Sequence, residues 1–196
     1  MNNLQYETLD RTKSLPRGIH PSVIFGKNVV IGMNVIIEED VVIGDDCLIS
    51  HNTIIRPNVV IGNNVELRCF VHVDPDAKIG DFTHVFPYGL VGGGWDIGSH
   101  VWYGPYSVTT NSSIPTKTNP SSIGDYAIIY SGCEIAPGVK IGYGGVLGMG
   151  SVLTKSIPAL EMWLGSPAKF HKKVTKKNLF VEDNQPWPDV FRGIVK

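Results

Sequence analysis

The chain contains no run of about eighteen apolar residues, so no membrane-crossing helix is expected. Its opening residues, Met1 to Gly18, lack the apolar stretch of a signal peptide. Charge of one sign is missing as well. Seventeen Lys plus Arg against eighteen Asp plus Glu leave a formal net charge of -1. That excludes a global basic field, and neither nucleic acid nor membrane insertion is expected. Cysteine is scarce: Cys47, Cys69 and Cys133 form no closely spaced pair and no metal-type cluster. An odd count without pairing argues against a disulfide-built secreted fold and for a reduced, cytoplasmic setting. Charged residues make up only 18% against 42% hydrophobic, which fits neither a disordered chain nor a long coiled coil. The 196 residues suffice for one cooperative domain. What the chain does have is 22 glycines and 13 prolines, which raises the question of turns at fixed intervals.

Written in sixes from Phe25, the chain reads FGKNVV, IGMNVI, IEEDVV, IGDDCL and onward to TTNSSI. Eight residues, PTKTNPSS, interrupt the count before it resumes with IGDYAI and ends with LTKSIP. Of 21 such hexads, 18 open with Ile, Leu or Val, the exceptions being Phe25, Tyr103 and Thr109. The fifth position is small or Val in 19, failing at Trp95 and Ile157. Neither the period of a flat strand nor that of a helix produces this pattern. A triangular coil does. Each hexad becomes one short strand and a corner, and three hexads make an 18-residue turn of a parallel β solenoid. The first residue fills the prism and the fifth fits the tightening corner. Gly, Asn and Asp near the corners accept positive φ or bond their own backbone. Seven coils at strand spacing make a column of roughly 34 Å.

This repeat, with the ending GMGSVLTKSIPALEMWLGSPAKFHKK (Gly148 to Lys173), resembles the left-handed β-helix acyltransferases of the hexapeptide-repeat superfamily. The resemblance covers about Ile19 to Lys173. It implies an all-β, left-handed parallel β-helix of about seven triangular coils with a short C-terminal α-helix. The expected organisation is an N-terminal arm or cap over 1–18 and a β-helix over 19–165. That β-helix would carry an inserted loop at 115–122, and a C-terminal helix and tail would cover 166–196. Ser166 would cap that helix with Pro167 at its first position. The tail's Trp187 and Phe191 would need a neighbouring surface. The implied activity is acetyl transfer from acetyl-CoA to a hydroxyl or amine of a sugar or sugar nucleotide, in bacterial surface polysaccharide synthesis. The implied assembly is a homotrimer, which would also cover exposed aromatics such as Trp102 and Tyr106.

Residues eighteen apart share a column, so Glu66, His84 and Trp102 are expected as successive neighbours. His72 lies on a second column between Ile54 and Leu90, and His100 on a third above Phe82. Being last in their hexads, His84 and His72 are expected to be exposed. Acetyl transfer without a covalent intermediate needs a general base, and histidine titrates near neutrality. IGDFTHV, ending at Val85, resembles the segment of sugar-nucleotide N-acetyltransferases that bears an active-site histidine, which makes His84 the candidate base, with His72 and His100 as alternatives. Those enzymes carry their principal base nine residues earlier, where this chain has Pro75 followed by Asp76. Either His84 takes the role or the site differs. Glu66 would orient His84, or the two form a surface pair. IGSHVWYG, Ile97 to Gly104, resembles the segment by which galactoside and maltose acetyltransferases enter their CoA-binding coils.

Acetyl-CoA is the implied co-substrate. Ser131, Gly132, Gly150 and Ser151 would leave room for its pantetheine arm, and Lys155, Lys169 and Lys172 would meet its phosphates. His72, Trp102 and Lys117 are candidates for the acceptor. Gly92 to Gly94 suggest a corner distorted for a ligand, with Trp95 turned outward, against a bulge without function. No metal is expected: His72, His84 and His100 share no column, and Pro105 stands where a γ-carbonic anhydrase has its second histidine. The alternatives are a non-catalytic β-helix scaffold or binding protein, and an acyltransferase fed by an acyl carrier protein.

Overall fold

The computed structural model describes residues 17–111 and 121–175 in full, and the backbone alone at Glu7–Thr8, Ser112–Ile114 and Lys117–Thr118. Each strand joins the last residue of one hexad to the first of the next, as in Val30–Ile31, Ile36–Ile37 and Val42–Ile43. The first-position residue points inward: Ile31 and Ile49, Ile37 and Ile55, and Ile43 and Ile61 are buried pairs on the three faces. Burying each such side chain is worth about 1.5–3 kcal/mol. The strands gather into three faces of a left-handed prism of about seven coils. The first face has ten strands, and the second and third have seven each. The column Val30, Leu48, Glu66, His84, Trp102 steps up the first face in parallel register. The next step, Trp102 to Ile128, spans the eight-residue insertion, and the backbone entering it, Ser112–Ile114, pairs antiparallel with Lys117–Thr118 inside it.

The corners divide their work between two positions. The fourth residue takes positive φ in every fully described hexad that makes a corner, from Asn28 at 54° to Gly150 at 65°. These positions include His100 and also Phe70, Phe82, Tyr88, Tyr106 and Tyr126, whose bulky rings rarely adopt this conformation. Left-handed backbone costs about 1–2 kcal/mol per residue. Ring stacking between successive coils offsets it by about 0.5–1.5 kcal/mol per pair. Phe70, Tyr88 and Tyr106 stack at 4.9 and 4.8 Å, and Phe82, His100 and Tyr126 at 4.9 and 4.6 Å. The second-position glycines serve another purpose. A Cβ on Gly44 would lie 2.5 Å from the carbonyl oxygen of Gly62 in the next coil.

Two expectations fail. The segment from Ser166 is not a helix. Ala168–Lys173 is a strand that turns back antiparallel on Glu161–Gly165, which itself extends the first face beside Val146–Leu147. A helix here would crowd Lys169, His171, Lys172 and Lys173 onto adjacent turns. The hairpin spreads them, pairs the open sheet edge and lets Lys173 Nζ donate to Glu161 at 2.6 Å. The Lys173 ammonium and the Trp163 indole, both donating to it, hold the Glu161 carboxyl below its ordinary range. The remainder of the expected helix and tail, with Trp187 and Phe191, lies outside the described residues.

Trp95 is the second correction: it points inward and is 1% exposed. The fifth-position residues on either side of it in its column are Ala77 and Ser121, both small, so the prism has room for an indole. Its Nε1 donates to the carbonyl of Thr110 at 2.9 Å. The glycines of its own corner thus accommodate a large interior residue.

Candidate active site

His84 stands midway along the first face. The backbone ladder fixes its height: its amide donates to Val101, and that of Glu66 donates to Thr83. Thr83, buried in the fifth position, ties its coil to the next through Gly98 and Val101. Adjacent last-in-hexad side chains thereby meet. His84 Nδ1 lies 3.4 Å from Glu66 Oε2, and the same oxygen lies 3.4 Å from Arg68 Nη1.

His84 was expected to be exposed, yet it is buried, at 7% exposure. The column does face outward, but bulky residues flank it. Phe82 and His100 stand at the fourth position on one side of it, and Arg68 and Phe86 at the second position on the other. Trp102 closes over the next coil, with its ring 4.1 Å from that of Phe86. Above Trp102 the face becomes apolar, where Ile128 and Val146 pack with Val174. A buried carboxylate facing a guanidinium and an imidazole, beneath an aromatic roof, can orient a base and withdraw it from bulk water.

His100 belongs to this neighbourhood. Burial lowers its pKa from the ordinary value, Asp125 and Asp81 oppose that, and His84 adds to it. Its Nδ1 is buried without a hydrogen-bond partner among the described residues. His72 is elsewhere, on the second face between Ile54 and Leu90, with Nε2 3.2 Å from Asp74 Oδ1. The Lys117 side chain lies outside the described residues. No group of three or more potential metal ligands occurs among the described residues.

The residues expected along a CoA arm separate into two sets. Ser131, Gly132 and Gly150 follow the first face at one corner, with Gly150 donating to the Ser131 carbonyl. A Cβ on either glycine would meet nothing within 4 Å among the described residues, which leave this corner open. Lys169 pairs with Leu164 in the terminal hairpin, and Lys172 pairs with Met162. Ser151 is buried, and its hydroxyl accepts from the Gly165 amide. That bond ties the hairpin to the last coil. Lys155 is exposed but follows the second face, away from that corner.

Column arithmetic alone brings Glu66, His84 and Trp102 together. Arg68 was missed, since a lone arginine in a slot usually held by glycine gives no signal of which carboxylate it meets. Phe86 was missed for the same reason, and His100 was weighed only as an alternative base.

Two family models match the coil: bacterial transferase hexapeptide (six repeats) over residues 22–57, and hexapeptide repeat of succinyl-transferase over residues 120–155. The galactoside O-acetyltransferase of Lactococcus lactis is 29% identical over 103 residues, 45% of this chain and 47% of that protein. A candidate acetyltransferase of Saccharomyces cerevisiae is 41% identical over 59 residues, 30% of each chain. The chain thus spans less than half the length of these curated relatives. Among solved structures, a variant of AntD, an N-acyltransferase from Bacillus cereus in complex with dTDP-4-amino-4,6-dideoxyglucose and coenzyme A, superimposes with a TM-score of 0.56. The match has 21% identity and covers 78% of this chain and 84% of that one. AntD in complex with dTDP and 3-hydroxybutyryl-CoA gives 0.53 at 20% identity, over 79% and 84%.

Proposed function

We propose that this chain, a member of the hexapeptide-repeat, left-handed β-helix superfamily, transfers an acetyl group from acetyl-CoA to a hydroxyl or amine of a sugar or sugar nucleotide. The observation that carries the reading is the buried dyad, His84 Nδ1 beside Glu66 Oε2 at 3.4 Å. Glu66 fixes the ring so that Nε2 is the basic nitrogen. That nitrogen takes the proton of the acceptor O–H or N–H as the acceptor atom bonds to the thioester carbonyl carbon. The tetrahedral adduct then collapses, the C–S bond breaks, and the proton passes to the departing CoA thiolate. Trp102 and Phe86 provide an apolar wall, which suits a site that excludes water from a thioester.

The open corner at Ser131, Gly132 and Gly150 fits the pantetheine arm, whose amides would meet exposed backbone groups. Lys169 and Lys172 offer charge for the phosphates. Ser151 and Lys155 drop out of this set for the reasons of burial and position given above. Support for a sugar-nucleotide acceptor comes from AntD, which is described in complex with a dTDP-sugar and CoA. Support for a hydroxyl acceptor comes from the galactoside O-acetyltransferase match. Bacterial surface polysaccharide synthesis is the setting this suggests, in the cytoplasm, where the three cysteines would stay reduced. The working unit would be a homotrimer, with acceptor contacts from His72 and Lys117 coming from other faces or subunits.

Calorimetric titration with acetyl-CoA, on the wild type and His84→Ala, tests the reading. Saturable binding near one site per chain is expected for both. Turnover of a sugar acceptor by His84→Ala should fall by about 10²–10⁴-fold, the usual worth of a general base. Absence of CoA binding by the folded wild type would overturn it and leave a carrier-protein donor or a non-catalytic solenoid. An undiminished rate in the variant would remove His84 from the chemistry.

A further inference from the structure

We infer that Arg68 is a positioning residue for the proposed reaction: its guanidinium supplies the counter-charge for Glu66, so that the carboxylate orients His84 without drawing a proton onto it. The inference rests on the reading of His84 as base. It begins from an anomaly in the repeat. Arg68 occupies the second place of its hexad, a slot that glycine fills in eleven of 21 hexads. Arg56 holds the same place two hexads earlier, after a strand of the second face, and provides a comparison. Its pair with Glu38 is 2.7 Å long, with side chains 43% and 26% exposed. Solvent screens such a pair, and it is worth little. The Arg68–Glu66 pair is different: the side chains are 16% and 12% exposed, and the carboxylate oxygen that faces Arg68 also faces His84.

A buried carboxylate between two nitrogen groups must be compensated by one of them. With Arg68 present, the guanidinium does so permanently. Without it, the burden falls on the imidazole, and the Glu66–His84 pair retains one proton to higher pH, whichever partner carries it. A base that already holds a proton cannot take one from the acceptor. The other titratable groups facing His84 among the described residues do not alter the sign. His100 opposes a second positive charge nearby, while Asp81 and Asp125 act on His100.

The test uses Arg68→Met, Arg68→Lys and Glu66→Gln in the full chain, with two readouts. The first is the pH profile of kcat/KM for acetyl transfer. The second, independent of turnover, is the NMR titration of the His84 ring, assigned by its loss in His84→Gln. Arg68→Met is expected to move the acid limb and the His84 midpoint up by about one pH unit, so kcat/KM falls about tenfold at pH 6 and by less than about threefold at pH 9. Arg68→Lys should restore the wild-type limb, and Glu66→Gln should move the midpoint down. An unchanged His84 midpoint in Arg68→Met, or an equal loss of activity at every pH, overturns the inference and leaves Arg68 a packing residue. If the wild type acetylates no acceptor, the proposed function fails, while the NMR midpoints still decide what Arg68 does to His84.

Discussion

The histidine above the candidate base is held in a setting that opposes its charge. His100 lies flat between Phe82 and Tyr126, and burial lowers its pKa against the pull of Asp125 and Asp81. The unfolded chain binds a proton here near the ordinary histidine pKa, while the folded chain resists it to lower pH. Between those two values the unfolded state carries more protons, so stability is present above about pH 6.5 and lost as pH falls through the folded value. His100→Phe keeps a ring in the stack, at a position where Phe82 already adopts the same φ of 57°. The variant should lose less Tm than the wild type on acidification from pH 7.5 to 5.5, as read by circular dichroism. An equal loss in both would mean that His100 accepts its proton in the folded protein without penalty. The same stack explains why an aromatic residue is tolerated where an isolated turn would demand glycine or asparagine.

At the scale of the coil, strand and corner obey separate constraints. Second-position glycines are fixed by the backbone of the next coil, and fourth-position glycines by φ. Gly44→Ala places a methyl group 2.5 Å from the Gly62 carbonyl oxygen, a contact that only a shift of the coil relieves. Gly132→Ala adds its methyl to open space at φ +69°. Gly44→Ala should therefore cost about 2–4 kcal/mol in urea denaturation, nearer the severe end of overpacking, and Gly132→Ala about 1 kcal/mol. Reversal of that order would show that φ, not coil contact, makes the second position glycine. The 18-residue spacing was legible in the sequence because every coil bonds to the next at the same step. Glu66, His84 and Trp102 could be placed on one face from their numbers alone. Periodicity ends where side chains choose among neighbours off their own column. The inward turn of Trp95 depends on Ala77 and Ser121 being small together. The burial of His84 depends on residues at the corners beside it. The terminal hairpin depends on an open edge at Val146–Leu147 that no local pattern announces, whereas Ser166-Pro167 carries a strong local sign of a helix start.

The described coils form a column that closes its interior and leaves much apolar surface outside. Ile24 is 62% exposed, and Val42 and Val60 follow it up the third face at 36% and 43%. Phe70, Tyr88 and Tyr106 form a stacked ladder along the edge between the first and second faces, 47%, 46% and 63% exposed. Rows of this kind favour burial against another surface. A solenoid presents identical rows on every copy, so copies set around one axis would cover them in a closed ring. Three copies of 21.4 kDa should give about 64 kDa by light scattering. Tyr106→Glu places a charge at the most exposed rung of the ladder without touching the interior. It should lower that mass towards a single chain while the circular dichroism spectrum stays unchanged. If acetyl-CoA binding weakens in parallel with the loss of mass, a neighbouring subunit completes the site. A monomeric wild type would instead confine the chemistry to His84, Glu66 and the residues around them within one chain.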